Sequence, residues 1–572
     1  MPKLSRAPDL IAHNGKIITV DGAFSISDAI AVRGERVAGI GGGADMLAAA
    51  DGETRIIDLA GRTVVPGLFD GHAHMDREGL KEIYPSLGGA RSIDDILEII
   101  EGLVAQAAPG EWISTMPIGD PPDYLGMPGL LADGRFPNAR DLDKVAPDNP
   151  VYIRPIWGYW RHDEDEPLVS IANSRALEIA GVTRETPSPV ETVVIDKDPA
   201  SGEPTGIFYE DTLGSIVELS FMDAAGGFSH QDRVQGLERS MQLYLSFGTT
   251  SVFEGHGTAA EIVEAYKDLA VRGEMRMRAD LFMSPAWDTI AEVSAGAFFD
   301  TWGRWLAGRG MGDEYLRMAG LFAQNAHKSG LSSLKEARLR TPAQPYTGWS
   351  AYNYDHVLEP DKLVEVMVEA ARRDIRIVTI TLPMLEYIEK ADKIEPIAGK
   401  RWALGHISIL TEDHVRRIRD LGLVVTTHTN RGIYRLGSAL REQIGQERED
   451  DISPLQRLQD AGIPFSLGTD NLPISLFHPI WQAIARRDEK TGDVVAPAQR
   501  LSRQDALSAA TMGGAMVCMD EDNRGSLEVG KLADFAVLDA DPLTVPEDDI
   551  KDIAAELTVV GGRIVYEREE QR

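Results

Sequence analysis

Eight short β-rich runs, ended by polar residues and separated by amphipathic helices, constrain this chain more than any other feature. They cover residues 64–72, 248–255, 276–284, 317–323, 376–382, 402–408, 424–429 and 464–470. After GTTSVFEGH (248–256), Ile262, Ala265, Tyr266 and Leu269 fall at i, i+3, i+4 and i+7, the spacing of one helix face. Leu363, Val366, Met367, Ala370 and Ala371 do the same ahead of RIVTITL (376–382). Thr411 is placed to cap a helix that Gly422 ends, Ser453-Pro454 opens another, and Ser502 with Asp505 starts a third. Strands that alternate with helices predict a parallel sheet, and eight such units predict a closed (β/α)8 barrel.

A chain of 572 residues exceeds one ordinary core. Residues 9–65 read as short strands separated by turn signals, and the last fifty residues do likewise. The expected organisation is a composite β-sandwich domain from 1–63 and 524–572. It flanks a barrel over 64–523, with an insertion at about 76–235 that is rich in Pro, Trp and Asp and forms a lid or side domain.

The net charge of −32 disfavours nucleic acid and anionic membranes as partners. No apolar run reaches the roughly 18 residues of a membrane span. The start, MPKLSRAPDL, lacks the apolar core of a secretory signal, so a cytoplasmic protein is expected. The single cysteine, Cys518, reads as a small buried residue. The expected partner is a small-molecule substrate, and homo-oligomerisation is left open.

Barrel active sites gather at the C-terminal ends of the strands, which turns the twelve histidines into a test. Five of them fall at expected strand ends: His72, His74, His256, His406 and His428. A lone histidine in such a place is more often a core group than a ligand, but five at one rim are harder to explain that way. His72 and His74 are two residues apart in an extended segment, so both imidazoles aim at one point. Neutral imidazole suits zinc and similar cations. Asp470 ends LGTD, the last strand, and presents a carboxylate to the same rim; its plainer role is to cap the turn that follows. In the insertion, Tyr152, Trp157, Tyr159 and Trp160 form an aromatic cluster that suits either packing or the lining of a pocket.

VVPGLFDGHAH (64–74) resembles the first-strand motif of the amidohydrolase superfamily. SLGTDNLPISLFHPIWQAI (466–484) resembles its eighth-strand segment, and GSLEVGKLADFAVLDADPLTV (525–545) its return to the terminal domain. IANSRALEIAGVTRETPSP and SGEPTGIFYE, in the insertion, are similar to the branch that contains the N-substituted formamide deformylases, amidohydrolase family 3. The resemblance spans nearly the whole chain. It implies that His72, His74 and Asp470 are metal ligands and that His406 matches the sixth-strand histidine.

Two positions depart from the pattern. The branch carries a strand-four lysine, where RMAGLFAQ (317–324) has Phe322, and a strand-five histidine, where Thr379, Ile380 and Thr381 stand. The usual binuclear site is therefore not expected. The expected metal set is His72, His74, His406 and Asp470, with one zinc ion per subunit, and His256 and His428 are alternative ligands. The resemblance implies hydrolysis of a C–N (amide, formamide or lactam-like) or ester-like bond in a small molecule. Asp470 would carry the proton, and His406 or His428 would stabilise the oxyanion. His256, His428 and Trp157 are candidates for substrate contact. The altered ligands keep two other readings open: a metal-dependent lyase, decarboxylase or isomerase, and a metal-free binding protein.

Overall fold

The computed structural model describes residues 7–121, 124, 126–157, 166–211, 215–285, 287, 294–325, 348–350 and 357–569. Tyr159, Trp160, His162, His327 and His356 lie outside the described residues.

The eight expected strands form one parallel sheet: β1 (Leu68–Ala73), β2 (Thr249–Glu254), β3 (Arg278–Met283), β4 (Leu316–Phe322), β5 (Ile377–Ile380), β6 (Ala403–Gly405), β7 (Val424–Thr427) and β8 (Phe465–Leu467). They pair in sequence order from β1 to β8. The ring is tied between its first and last strands by Asp470 N, which donates to His72 O at 2.8 Å. This is an α/β barrel. The helix faces anticipated from spacing point inward: Ile262, Ala265, Tyr266 and Leu269 are the buried residues of helix Ala260–Arg272. Thr411 caps helix Glu412–Asp420 by accepting from His414 N.

The first run divides where 64–72 was expected to be a single strand. Thr63–Pro66 belongs to the terminal domain and pairs antiparallel with Phe535–Leu538. Hydrogen bonding changes partner at the next residues: Gly67 N donates to Asp534 O, but Leu68 N donates to Gly248 O at the start of β2. Strands from both chain ends, Leu10–Ile18 through Thr63–Pro66 and Phe535–Leu538 through Arg563–Glu567, form one continuous eight-stranded sheet. Leu10, Ile30, Val64, Phe535 and Val559 share its apolar interior.

Between β1 and β2 lies a five-stranded sheet, ordered Val193–Lys197, Pro204–Glu210, Leu168–Ala172, Val151–Ile153, Ile113–Thr115. Helix His230–Ser246 begins inside the 76–235 interval expected for the insertion, because Ser229 and Asp232 form a reciprocal capping box at its start. It packs on the Met75–Glu78 turn that follows β1.

Among the described residues, no helix is long and apolar enough to cross a membrane.

Candidate metal centre

The five strand-end histidines converge with Asp470 at the C-terminal mouth of the barrel. His72 closes β1, and its backbone N–H donates to Asp70 Oδ1 at 3.0 Å. Asp70 also accepts from Thr469 N and Thr469 Oγ at 3.0 and 2.5 Å, which fastens β1 to the end of β8. Burial pushes the Asp70 carboxyl up to about 7 against these hydrogen bonds. Asn471 fixes the next turn: it accepts from His74 N at 3.0 Å and donates to His74 O at 2.8 Å and Glu78 Oε2 at 2.9 Å.

His406 and Asp470 lie one and three residues beyond their strands. Both have left-handed backbones, φ +53° and +51°. Few non-glycine residues adopt that region, and aspartate and histidine are among those that do so most readily.

The ring contacts are close. His406 Nε2 is 3.1 Å from His72 Nε2, and His256 Nδ1 is 2.8 Å from His74 Nε2. The His72 and His428 ring centroids are 4.2 Å apart, those of His406 and His428 4.1 Å. Asp470 Oδ1 lies 3.0 Å from His74 Nε2, and Oδ2 lies 3.8 Å from both His406 Nε2 and His428 Nε2. Burial, reinforced by the neighbouring imidazoles, holds His72 and His428 well below the ordinary histidine range. Burial is also the leading cause for His74 and His256, and it holds His406 down to about 3. These rings are therefore neutral and able to donate lone pairs to a cation.

The donor set fits a divalent cation. Among the described residues it contains two groups of four, His72–His74–His256–Asp470 and His72–His406–His428–Asp470, each with ligand atoms within 4.8 Å of one another. Neither ring nitrogen of buried His428 makes a hydrogen bond among the described residues. The set expected from sequence, His72, His74, His406 and Asp470, is drawn from both groups.

Three features escaped the sequence reading. Asp76 and Glu254 sit behind His74, with oxygens 3.9 and 3.8 Å from its Nδ1. Glu254 accepts from Tyr266 OH at 2.5 Å, and burial next to Asp76 raises its carboxyl well above the usual range. Both residues stood at the rim already searched for histidines, and the same search applied to carboxylates would have found them. Gln324 occupies the gap at the ends of β4 and β5: it accepts from Thr379 Oγ at 2.8 Å and donates to Thr381 Oγ at 3.4 Å. The departure from the lysine and histidine pattern is thus a neutral hydrogen-bonded bridge. Trp157, expected as a substrate contact, is buried, and the guanidinium of Arg77 lies 5.3 Å from its ring centroid. It therefore joins the insertion to the segment that carries His72 and His74.

A profile of the amidohydrolase family matches residues 55–566. The chain belongs to that family. This amidohydrolase is 26% identical to Protein LONG AFTER FAR-RED 3 of Arabidopsis thaliana, over 99% of this chain and 93% of that one. It is 24% identical to the N-substituted formamide deformylase of Arthrobacter pascens, over 99% of each. An uncharacterized metal-dependent hydrolase from Pyrococcus furiosus shares the fold, with a TM-score of 0.65 at 23% identity, over 94% of this chain and 100% of that one.

Gly255 leaves the amidohydrolase room for the His72 ring. A Cβ at this position would fall 2.2–2.3 Å from the ring atoms of His72. Gly255→Ala is expected to displace that ring and lower metal affinity by about tenfold or more. Metal content after gel filtration, with circular dichroism to confirm folding, reads the effect. Undiminished metal content would show that His72 does not need the space.

Proposed function

We propose that this chain is a metal-dependent hydrolase of a C–N bond (amide, formamide or lactam-like) or an ester-like bond in a small molecule. The observation that carries this reading is the convergence of five neutral imidazoles, three buried and two largely so, with one carboxylate at the mouth of an amidohydrolase barrel. The name of the Arthrobacter relative makes N-substituted formamides the first substrates to try.

His72, His74, His406 and Asp470 would hold one cation, with His256 and His428 as alternative ligands, and zinc would suit such nitrogen and oxygen donors. When bound, the cation supplies Lewis acidity, which acidifies water and polarises the scissile carbonyl. Asp470 accepts the proton lost by the attacking water and returns it to the leaving nitrogen. His428, or His406 where it is not a ligand, donates to the developing oxyanion. His256 stands on the His74 side of the same mouth as a substrate contact.

The Gln324–Thr379–Thr381 bridge favours one second reading, a metal-dependent lyase, decarboxylase or isomerase, because an altered ligand set can accompany altered chemistry. Turnover of N-substituted formamides, amides, lactams and esters in 18O-labelled water separates the two. Hydrolysis puts one labelled oxygen into the carboxylate product, activity falls on chelation, and it returns with added metal. Turnover without label would overturn hydrolysis. A folded protein that neither takes up metal nor turns over any substrate would point to the metal-free binding reading.

A further inference from the structure

The five-stranded sheet of the insertion has two apolar faces. Side chains alternate along each strand, so Tyr152, Ala172 and Phe208 point one way and their neighbours Ile153, Ile171 and Ile207 the other. Tyr152, Ala172 and Phe208 share a core with Leu472, two residues beyond Asp470. That face is turned to the barrel. On the opposite face Ile153, Ile171 and Ile207 stand side by side across three neighbouring strands. Helix Ile93–Val104 packs beside the edge strand Ile113–Thr115, and the short helix Ala139–Leu142 packs on Leu168–Ala172 and Pro204–Glu210. Between them the three isoleucines line a cavity of about 540 Å³, with Phe136 and Tyr124 in its walls. That is the size of a small-molecule site. No residue of the metal centre lines it.

The polar groups of the cavity gather along one strand. Thr205 and Tyr209 lie two residues to either side of Ile207 and share its face. Thr205 Oγ donates to Asp196 Oδ2 at 2.5 Å, which fixes a carboxylate at the cavity edge. Burial, with Asp196 nearby, pushes the Tyr209 hydroxyl up, so it stays protonated and its oxygen is an acceptor. Arg135, the one cation that lines the cavity among the described residues, is already paired with Asp141, Nη1 to Oδ2 at 2.7 Å. A ligand thus meets an apolar floor and, at its edge, a carboxylate beside a hydroxyl.

We propose that this cavity is a second binding site, for a small organic cation: a protonated primary amine carried on an aliphatic or aromatic body. The body lies on Ile153, Ile171 and Ile207, and the ammonium donates to Asp196 and to the Tyr209 hydroxyl. The net charge of −32 favours the approach of a cation over that of an anion. The site stands whether or not the barrel mouth hydrolyses C–N bonds. If it does, an amine of this class is what an N-substituted formamide releases.

The test is calorimetric titration of the full-length protein with phenylbutylamine, phenylbutanol and phenylbutyrate, which share one body and differ in charge. The amine is expected to bind at about one equivalent, the alcohol about fivefold more weakly, and the acid more weakly still. Asp196→Asn should bring the amine down to the level of the alcohol and leave the alcohol unchanged. Val169→Trp, which places an indole into the cavity from the same face as Ile171, should abolish binding of both. Asp470→Asn, at the barrel mouth, should bind the amine as the wild type does. Thermal melting confirms that each variant is folded; if Val169→Trp is not, Asp196→Asn and the three-ligand comparison decide. No amine binding, or equal binding of the three ligands, would overturn the proposal. So would amine binding that survives Asp196→Asn undiminished, and its loss in Asp470→Asn would then place the amine at the barrel mouth.

Discussion

Asp470→Asn is expected to lower turnover by about 10³-fold or more while leaving the fold intact. The side chain is 3% exposed and faces four of the five histidine rings across the mouth, directly or through a neighbouring ring. Asparagine keeps its shape but removes the negative charge and the capacity to accept a proton. Metal would be held less tightly, and the proton of the attacking water would lose its acceptor. The backbone clamp does not depend on the carboxylate, because Asp470 N bonds to His72 O and the neighbouring Asn471 holds His74. Steady-state rates on the best formamide or amide substrate, with thermal melting of the same sample, read the two effects separately. His72→Ala should behave in the same direction. Wild-type-like rates in either variant would refute the assignment of this mouth as the reaction centre.

Arg524→Met should destabilise the protein by roughly 3–5 kcal/mol, the cost of removing one partner from a buried ion pair. Arg524 lies toward the opposite end of the barrel from the histidines. Its Nη2 donates to Asp280 Oδ2 on β3 at 2.7 Å, and its Nε is 2.5 Å from Asp520 Oδ2. Its guanidinium also stacks 4.8 Å from the ring centroid of Phe69 on β1. The two carboxylates outweigh burial and push the guanidinium pKa up, so the group is charged throughout the working range. Without it, Asp280 loses its ion-pair partner inside the barrel. Chemical denaturation reads the loss, and the pair Arg524→Met with Asp280→Asn should recover part of it, because an unpaired buried charge costs more than a missing pair. An unchanged denaturation midpoint in Arg524→Met would show that the pair contributes nothing net.

Much of the barrel was legible in the chain because its elements are repetitive and local. Helical spacing, caps such as Thr411, and β-rich runs are set by neighbours a few residues apart, and all eight strands overlap the expected stretches, two of them overrunning by one residue. The exceptions are instructive. The run at 64–72 divides between two sheets because Gly67 and Leu68 find hydrogen-bond acceptors at Asp534 and Gly248, partners far away in the chain. Gln324 was passed over because a glutamine after a strand carries no distinctive local signal. Its role exists only once β4 and β5 lie side by side.

The sequence by itself determined the (β/α)8 class, the family resemblance, and the six side chains at the mouth, since periodicity and short motifs such as His-x-His act over a few residues. Only the tertiary structure decided how those six divide around Asp470, and that Asp76 and Glu254 stand behind His74. The physical reason is distance along the chain: His72 and Asp470 are separated by nearly 400 residues. His406 and Asp470 sit in left-handed turns after β6 and β8, and only the closed barrel brings those two turns to one mouth.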